Sequence, residues 1–255
     1  MKRVDSIPTN LHIIKCEKHG DHEAKYTKCH DGRYFVQEFC FKCVEESDAK
    51  RKLEDERVRA ADDIEREKRI KENARINAGI SKRNLYKTFD DYICENEGQT
   101  KAKNDCIRYV ENFPSDKSLI MVGGVGTGKT LLASAMIESL VDKHKCEIVK
   151  LIEIVRELKS TWSKDSETSE EKIIKWYTKL DLLIIDEVGS QFGSDTEKLF
   201  IFEIIDGRYQ NMKPTIIISN LDINGVKDAI GERCVDRLRE GGGSMIAFNW
   251  NSSRA

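Results

Sequence analysis

The sequence lacks the long apolar run of a membrane protein. No charge-free stretch approaches the eighteen or so residues that a transmembrane helix requires, and residues 1–14 lack the apolar core of a signal peptide. We therefore expect a cytoplasmic protein with no membrane partner. In that reducing compartment, the eight cysteines are interpreted as metal ligands before disulfides.

Apolar residues and net charge are also scarce. The chain is 39% apolar and 35% charged, which is less apolar and more charged than an ordinary globular domain. Part of its 255 residues is therefore expected to lie outside any packed core. A formal net charge of −2 provides no overall attraction to nucleic acid, so a contact with DNA would need a local basic patch.

The N-terminal segment contains two pairs of metal-ligand residues, each with two residues between its members. They are Cys16 with His19 and Cys40 with Cys43. Three thiolates and one imidazole suit a closed, structural Zn²⁺ site. A free set of thiols on a flexible arm is the alternative. Rival ligands in the same segment are His22, Cys29 and His30.

A short hairpin is predicted between the two pairs, with a turn at Asp31 and Gly32 and a strand at Tyr34–Val36. A segment this small is not held together by apolar burial alone, so a metal ion has a structural purpose. We predict a zinc-knuckle or ribbon-like module over residues 1–44.

Residues 45–80 change abruptly to Glu, Asp, Lys, Arg and Ala. Interspersed opposite charges support a solvated helix through pairs four residues apart. The few isoleucines keep no heptad, so a specific coiled coil is not favoured. We expect a charged helical linker that Gly79 ends, followed by a larger domain over residues 81–255.

The strongest motif is a glycine-rich loop between the apolar run Ser118–Val122 and the helical pattern Leu131–Val141. In this context its glycines aim backbone N–H groups at phosphate oxygens, and the helix dipole favours the same charge. Lys129 is expected to reach the β- and γ-phosphates of ATP, and Thr130 is expected to bind Mg²⁺. The predicted nucleotide-binding residues are Gly123, Gly124, Val125, Gly126, Thr127, Gly128, Lys129, Thr130, Leu131 and, from a later strand, Asp186.

Two further apolar runs end in polar side chains. The first leads into Asp186 and Glu187, and the second, Thr215–Ser219, leads into Asn220. Beside a phosphate loop, Asp186 would hold Mg²⁺ and Glu187 would polarise the attacking water. Asn220 would bind that water or the γ-phosphate, unless it only caps a turn.

The order of elements predicts the fold. Five strands alternate with helices, which indicates an α/β sandwich with a parallel sheet and a ligand at the carboxyl ends of its strands. Upstream of the loop, residues 81–113 are read mostly as core, and only Phe89–Tyr92 is placed at the edge of the site near the nucleotide base.

Four runs together resemble the AAA+ ATPases and, within them, the DnaC-type replicative helicase loaders and their IstB-type relatives. The runs are GGVGTGKT, LLIIDE, TIIISN and ERCVDRLREGGGSMIAFNW. The resemblance implies an AAA+ P-loop three-layer sandwich with a five-stranded parallel sheet, in which the strand at 146–151 separates the loop strand from the Asp-Glu strand. About fifteen residues follow Arg239, so no C-terminal helical lid is expected. The Cys/His pairs resemble a zinc-binding module of some phage and prophage loaders.

The resemblance also implies an ATPase that works between subunits of an ATP-dependent oligomer. Arg233 aligns with the arginine finger that one subunit extends to its neighbour's nucleotide. Arg237 is the second choice, in contact with nucleotide in its own subunit. Salt bridges to nearby acidic side chains are the alternative for both. The predicted catalytic residues are Lys129, Glu187, Asn220, Arg233 and Arg237.

The function implied is loading of the replicative DNA helicase onto single-stranded DNA. A single-strand groove combines cations with stacking aromatics, although aromatics at helical spacing also form cores. An ATP-controlled DNA-targeting adaptor, such as an IstB-type transposition helper, is the alternative, but the near-neutral N-terminal segment disfavours it. A scaffold with negligible turnover is disfavoured by the Asp-Glu pair. Candidate DNA contacts are Lys159, Trp162, Lys164, Lys172, Lys175, Trp176 and Tyr177.

Overall fold

The computed structural model describes residues 2–10, 12–163, 168–189 and 194–252. The chain forms two compact units, Met1–Lys68 and Arg69–Ala255, here called the N-terminal and C-terminal units. Their boundary falls inside one long helix, whereas composition alone suggested boundaries at residues 44 and 80. None of the described helices is long and apolar enough to cross a membrane.

The N-terminal unit begins with five short strands: β1 (Lys2–Val4), β2 (Ile13–Ile14), β3 (His22–Glu23), β4 (Lys25–Lys28) and β5 (Tyr34–Gln37). Strand β5 lies between β1 and β4 in an antiparallel sheet, and β2 pairs with β3. The predicted hairpin is confirmed as β4 and β5, with Gly32 in its turn at a φ of 84° that glycine adopts without strain. Its buried apolar cluster consists of Ile14, Ala24 and Val36.

The predicted charged helix is confirmed as α1 (Phe41–Asn77), in which no residue is buried. It begins four residues before the change in composition and therefore includes Cys43. Gly79 follows it with a φ of 73°, the left-handed conformation that commonly ends a helix.

The C-terminal unit alternates strands and helices. It contains a short 3-10 turn (Phe89–Asp91), α2 (Glu97–Glu111), β6 (Leu119–Gly123), α3 (Lys129–Leu140), β7 (Cys146–Lys150), α4 (Leu151–Ser160), α5 (Glu170–Lys179), β8 (Leu182–Val188), α6 (Asp195–Gln210), β9 (Thr215–Ser219), α7 (Ile223–Ile230), α8 (Glu232–Arg239) and β10 (Ser244–Phe248). The sequence did not predict α7, because Asn224 and Gly225 weaken its helical pattern. The Asp222 carboxylate caps this helix by accepting a hydrogen bond from the Gly225 N–H at 2.9 Å.

The predicted five-stranded parallel sheet is confirmed, in the order β10-β6-β9-β8-β7. One part of the expectation was wrong. The strand Cys146–Lys150 does not separate the loop strand from the Asp-Glu strand; it lies at the sheet edge beside β8. Strand β9 separates them, because it pairs with both β6 and β8. Asn220, at the end of β9, is thereby placed between the loop and the carboxylate pair.

Two apolar layers sandwich the sheet. Alternate residues of β8 face opposite layers, as the pleat requires. Leu182 and Ile184 join the cluster formed with α2 and α3. Leu183 and Ile185 join the cluster formed with α4, α6 and α8. After α8, the described residues 240–252 form one strand and no helix.

The last turn of α1, which is part of the C-terminal unit, forms ion pairs with side chains near the end of α3. The Arg75 guanidinium pairs with Glu138 at 2.6 Å and Asp142 at 3.1 Å, both near the end of α3. Beyond the helix, the Ala78 carbonyl accepts a hydrogen bond from the Ile148 N–H of β7 at 2.8 Å. A Cβ on Gly79 would lie 2.1 Å from the Ile148 carbonyl oxygen, so this close approach requires glycine.

A buried arginine joins α5, α6 and β9. Arg208 is fully buried, and its guanidinium donates to the carbonyls of Tyr177 (2.6 Å), Leu180 (2.9 Å) and Pro214 (2.5 Å) and to the Thr215 hydroxyl (2.9 Å). Burial lowers its pKa to about 10, so the side chain stays charged at neutral pH. Four hydrogen bonds compensate for the loss of water around that charge.

Candidate nucleotide site and metal centre

The glycine-rich loop connects β6 to α3 and encloses the ammonium of Lys129. That ammonium donates to the carbonyls of Gly123 and Gly124, each at 2.7 Å, and to the Thr127 hydroxyl at 3.2 Å. Burial lowers the pKa of Lys129, and the nearby Asp186 opposes that shift. The loop therefore holds a desolvated cation at its centre, which is the charge that a triphosphate requires.

Hard oxygen ligands meet beside the loop. The Thr130 hydroxyl donates to a carboxylate oxygen of Asp186 at 2.9 Å, although the two residues are 56 positions apart in the chain. Asp186 is buried, and that burial raises its pKa, while hydrogen bonds from the Glu187 N–H and Thr130 oppose the shift. A hydroxyl and a carboxylate in contact match the oxygen ligands that Mg²⁺ prefers.

Glu187 adopts a backbone conformation unusual for its residue type. Its φ is 56°, and the register of β8 against β9 shifts at this point. The carboxylate is exposed and pairs with the Lys150 ammonium at the end of β7, at 2.9 Å. Strain of this kind is concentrated at functional sites. The sequence did not indicate Lys150, because only the neighbouring positions of β7 and β8 bring it to Glu187.

Asn220 lies exposed directly after β9. The adjoining backbone is held by Ser219, whose hydroxyl donates to the Val188 carbonyl and accepts from the Leu221 N–H at 3.0 Å. The end of β9 is thereby tied to the end of β8, which carries the carboxylate pair. The amide is thus placed on the same sheet edge as the loop and Glu187.

Two aromatic side chains support the loop from outside. The Tyr92 hydroxyl donates to the Thr127 carbonyl at 3.1 Å, and the Trp250 indole N–H donates to the same oxygen at 3.2 Å. Burial raises the pKa of Tyr92 to about 12, so its hydroxyl remains a donor at neutral pH. The sequence placed Tyr92 at the edge of the site but did not indicate a role for Trp250 there, because a backbone acceptor leaves no signal in the sequence.

The two candidate arginines of α8 differ in their surroundings. Arg233 is exposed, and among the described residues it has no ion-pair partner. Arg237 pairs with Asp206 at 2.9 Å and with Glu240 at 3.1 Å, and its guanidinium lies 4.5 Å from the centre of the Tyr209 ring. Arg233 is therefore the one available to another molecule.

The two Cys/His pairs of the N-terminal unit come together. Their four ligand atoms lie within 4.8 Å of one another. The Cys16 and Cys43 sulfurs are 3.6 Å apart, and the His19 Nδ1 lies 3.3 Å from the Cys43 sulfur and 3.5 Å from the Cys40 sulfur. Tetrahedral Zn²⁺ with bonds of about 2.3 Å to sulfur places its ligands roughly 3.5–3.8 Å apart. The donor set and spacing fit that ion.

The rival ligands lie elsewhere. The His22 Nδ1 is 3.1 Å from the Gly20 carbonyl, and its ring packs edge-on against Phe41. The Cys29 thiol donates to the Thr27 carbonyl at 3.9 Å, and His30 is exposed. Among the described residues, they are not part of the four-residue cluster.

Charges around the cluster favour metal binding. The His19 backbone N–H donates to the Cys16 sulfur and lowers the pKa of that thiol to about 6. The other ring nitrogen of His19 lies 3.0 Å from the Glu46 carboxylate, the partner that orients a metal-bound histidine. Lys18 and then His19 lower the pKa of Glu46 to about 2, so this carboxylate is ionised.

The candidate DNA contacts differ in their exposure and in their pairing with acidic side chains. Tyr177 is buried and donates to Glu157 at 2.7 Å, and Lys159 pairs with Glu197 at 2.6 Å. Trp162 and Trp176 are exposed, although the Trp176 indole donates to Glu147 at 2.8 Å. The candidates Lys172 and Lys175 are exposed on α5, while Lys164 lies outside the described residues.

Three features define a P-loop nucleoside triphosphatase. Lys129 is buried in a loop between a strand and a helix, the Thr130 hydroxyl contacts the Asp186 carboxylate, and Asn220 follows the strand that lies between them. Comparison with known proteins narrows the class. The family described as "IstB-like ATP binding protein" matches residues 44–237. The replicative helicase loader DnaC of Escherichia coli (strain K12) is 36% identical over 196 residues, which cover 75% of this chain and 80% of that protein. DnaC of Buchnera aphidicola subsp. Baizongia pistaciae is 36% identical over 179 residues, or 69% and 73%.

Solved structures agree. The crystal structure of the DnaC helicase loader matches with a TM-score of 0.58 at 26% identity, covering 66% of this chain and 99% of that one. DnaI matches with a TM-score of 0.57 at 24% identity, covering 68% and 94%, and this likeness bears on the fold alone. The chain belongs to the DnaC-type helicase loader family of AAA+ ATPases, with IstB-like relatives. It is an ATPase.

Proposed function

We propose that this ATPase loads a replicative DNA helicase onto single-stranded DNA at the initiation of replication. The 36% identity to E. coli DnaC over 80% of that protein's length is the observation that carries the proposal. The conversion of ATP to ADP and phosphate would control the transfer. A transposition helper of the IstB type is the second candidate, and the names of the DnaC relatives disfavour it.

The residues around the loop can divide the work of ATP hydrolysis among them. Lys129 would bind the β- and γ-phosphates in place of the loop carbonyls that now accept its hydrogen bonds. Thr130 and Asp186 would hold Mg²⁺, which neutralises charge on the transferred phosphoryl. Glu187 would orient the attacking water, and Asn220, on the strand between, would bind that water or the γ-phosphate.

Release of Glu187 from Lys150 is part of this proposal. An ion pair at 2.9 Å occupies the carboxylate that must act on water. Both partners are about half exposed, so the pair is weak and can open at little cost. Lys150 would therefore restrain hydrolysis until the γ-phosphate or another molecule draws Glu187 away.

We also propose that the site is completed by a second copy of the chain. Arg233 is exposed and without an ion-pair partner in the described part of the chain, whereas Arg237 is held by Asp206 and Glu240. A free guanidinium supplied by a neighbour would stabilise the charge of the transition state. The ATP-dependent oligomer and its shared site follow from that assignment.

The Cys/His cluster is proposed as a structural Zn²⁺ site, held by Cys16, His19, Cys40 and Cys43. The four donors fit a closed tetrahedral site with no position left for a substrate. Its role would be to hold the N-terminal unit in the shape that grips the helicase. The DNA contact would then belong to the C-terminal unit.

A pull-down separates the loader from the transposition helper. The full chain with ATP should capture the replicative helicase of its own cell and increase the single-stranded DNA bound by that helicase. A chain carrying Cys40→Ser should lose the helicase while hydrolysing ATP normally. Capture of DNA by the N-terminal unit without any helicase binding would contradict the loader function.

A second measurement tests the shared site. Arg233→Ala should leave ATP affinity within about two-fold and lower the hydrolysis rate by about 10³-fold. Mixing it with Lys129→Ala chains should restore part of the activity, because each supplies what the other lacks. Equal loss of binding and hydrolysis would count against the arginine finger. Arg239→Ala, an exposed arginine on the same helix, is the matched control.

A further inference from the structure

We infer that Tyr92 and Trp250 are positioning residues of the nucleotide site, which orient the Thr127–Gly128 peptide so that its N–H faces the phosphates. This inference rests on the assignment of the loop to ATP. It concerns two side chains that lie outside the loop motif and far apart in the sequence.

The argument begins with a shared acceptor. The Tyr92 hydroxyl and the Trp250 indole N–H both donate to the Thr127 carbonyl, at 3.1 and 3.2 Å. A carbonyl oxygen has two lone pairs and accepts two such bonds. Both acceptor positions of the oxygen are thus taken by side chains that lie outside the loop.

The two hydrogen bonds to the Thr127 carbonyl also fix the direction of the Gly128 N–H. A trans peptide is planar, and its C=O and N–H point in opposite directions. Because the Thr127 carbonyl points at Tyr92 and Trp250, the Gly128 N–H points to the opposite side. The backbone N–H groups of this loop are the ones that cradle phosphate.

The orientation of the Thr127–Gly128 peptide needs support from outside the loop, because glycine allows more than one backbone conformation. Gly128 has a φ of 91°, a conformation that only glycine adopts readily, and glycine permits the alternative peptide orientation at low cost. A Cβ at Gly128 would lie 2.3 Å from the Tyr92 ring, so the loop rests directly on that ring. Two donors therefore select one orientation from those that glycine allows.

Packing contacts hold the Trp250 ring in the position from which its N–H donates to the Thr127 carbonyl. Its ring lies 4.9 Å from that of Phe248 at the end of β10, and a Cβ on Gly98 of α2 would approach it to 3.2 Å. Tyr92, in turn, is buried just before α2. Both donors therefore also have packing contacts outside the loop, which is what a positioning residue requires.

The test is a comparison of nucleotide binding with folding. Tyr92→Phe and Trp250→Phe each remove one donor and keep the ring. Each should raise the Kd for ADP and the KM for ATP by about three-fold, with kcat within two-fold and with the melting temperature of the nucleotide-free protein unchanged. The double variant should raise both by more than the product of the single effects, about 30-fold, because each remaining donor compensates in the single variants.

Tyr109→Phe is the matched control. In the described part of the chain, the Tyr109 hydroxyl is buried and has no hydrogen-bond partner, so its removal should leave nucleotide affinity unchanged. Wild-type affinity in both single variants and the double variant, or a loss of folding stability and kcat at constant KM, would overturn the inference. If the double variant does not fold, the single variants decide.

Lys129→Ala tests separately whether the glycine-rich loop is the nucleotide site, on which this inference rests. It should abolish ADP binding. If it binds ADP like the wild-type protein, the loop is not the nucleotide site and the proposed function fails. If it loses ADP while the Tyr92 and Trp250 variants do not, only the positioning role fails.

Discussion

Different interactions stabilise the N-terminal unit and the C-terminal unit. The N-terminal unit buries one small apolar cluster of Ile14, Ala24 and Val36, and it brings together four side chains that could hold a metal ion. The C-terminal unit buries two extended clusters, one on each face of its sheet. The proposed Zn²⁺ site would couple folding of the first unit to a ligand, while the second unit is stabilised by apolar burial.

Loss of the proposed Zn²⁺ site should give the largest difference between the two units. Structural Zn²⁺ supplies roughly 10 kcal/mol or more to small modules, so Cys40→Ser should unfold the strands of the N-terminal unit and leave ATP hydrolysis intact. Zinc content and hydrogen exchange of peptides from each unit measure this. Cys29→Ser, a thiol outside the cluster, should retain one zinc ion per chain. Equal protection of the N-terminal peptides in both variants would show that burial alone suffices.

Arg208→Met should destabilise the C-terminal unit. It leaves the Tyr177, Leu180 and Pro214 carbonyls without their buried donor, which costs about 3 kcal/mol of unfolding free energy. Urea unfolding followed by circular dichroism measures the loss, and zinc content should not change. The exposed Arg239→Met should stay within about 0.5 kcal/mol. Equal stability of the two variants would mean that the guanidinium contributes nothing net.

Glu46→Gln should weaken the N-terminal unit by degrees. The carboxylate lies 3.0 Å from the His19 ring nitrogen, and loss of such a partner lowers metal affinity about 10- to 100-fold. Competition with a zinc chelator measures the affinity. Glu45→Gln, one residue earlier and exposed, should match the wild-type protein. A change no larger than in this control would remove Glu46 from the metal centre.

Asp181 tests a weaker, pH-dependent interaction of the C-terminal unit. Burial raises its pKa, but hydrogen bonds from Lys213 and the Lys145 N–H outweigh that effect and leave the pKa below its usual value. A lowered folded-state pKa contributes stability above the unfolded-state pKa of about 4, and the contribution disappears as the pH falls through the folded-state pKa.

The expected stability difference for Asp181→Asn is below about 1 kcal/mol and should be larger at pH 7 than near pH 3. Urea midpoints at the two pH values measure it. Asp116→Asn, whose carboxylate has no ion-pair partner in the described part of the chain, is the control. A difference that does not vary with pH would exclude the charge of Asp181 as its source.

Motifs with strong local patterns could be predicted from the sequence. The loop at Gly123–Thr130 follows an apolar strand and opens a helix, and both neighbours are visible in the residue pattern. The Cys/His spacing likewise indicates the four-residue cluster, since two short-range pairs need only one long-range contact to meet. In both cases the chemistry is encoded within a few residues.

The neighbour relations of the sheet could not be predicted in this way. The resemblance was taken to imply that the strand at 146–151 separates β6 from β8 in the sheet, whereas β9 lies between them. The Lys150–Glu187 pair depends on that arrangement and was missed for the same reason. The contact of Trp250 with the loop was also missed, because the acceptor is a backbone carbonyl that any residue carries.

The close approach of Ala78 and Gly79 to β7 has a practical consequence for shortened chains. An exposed sheet edge is a template for aggregation, and here the Ala78 carbonyl occupies the Ile148 N–H of that edge. A chain cut at residue 81, where composition places the domain boundary, would leave the edge bare and lose the Arg75 ion pairs. A chain that starts at Arg69 keeps both and should remain monodisperse where the shorter one self-associates through β7.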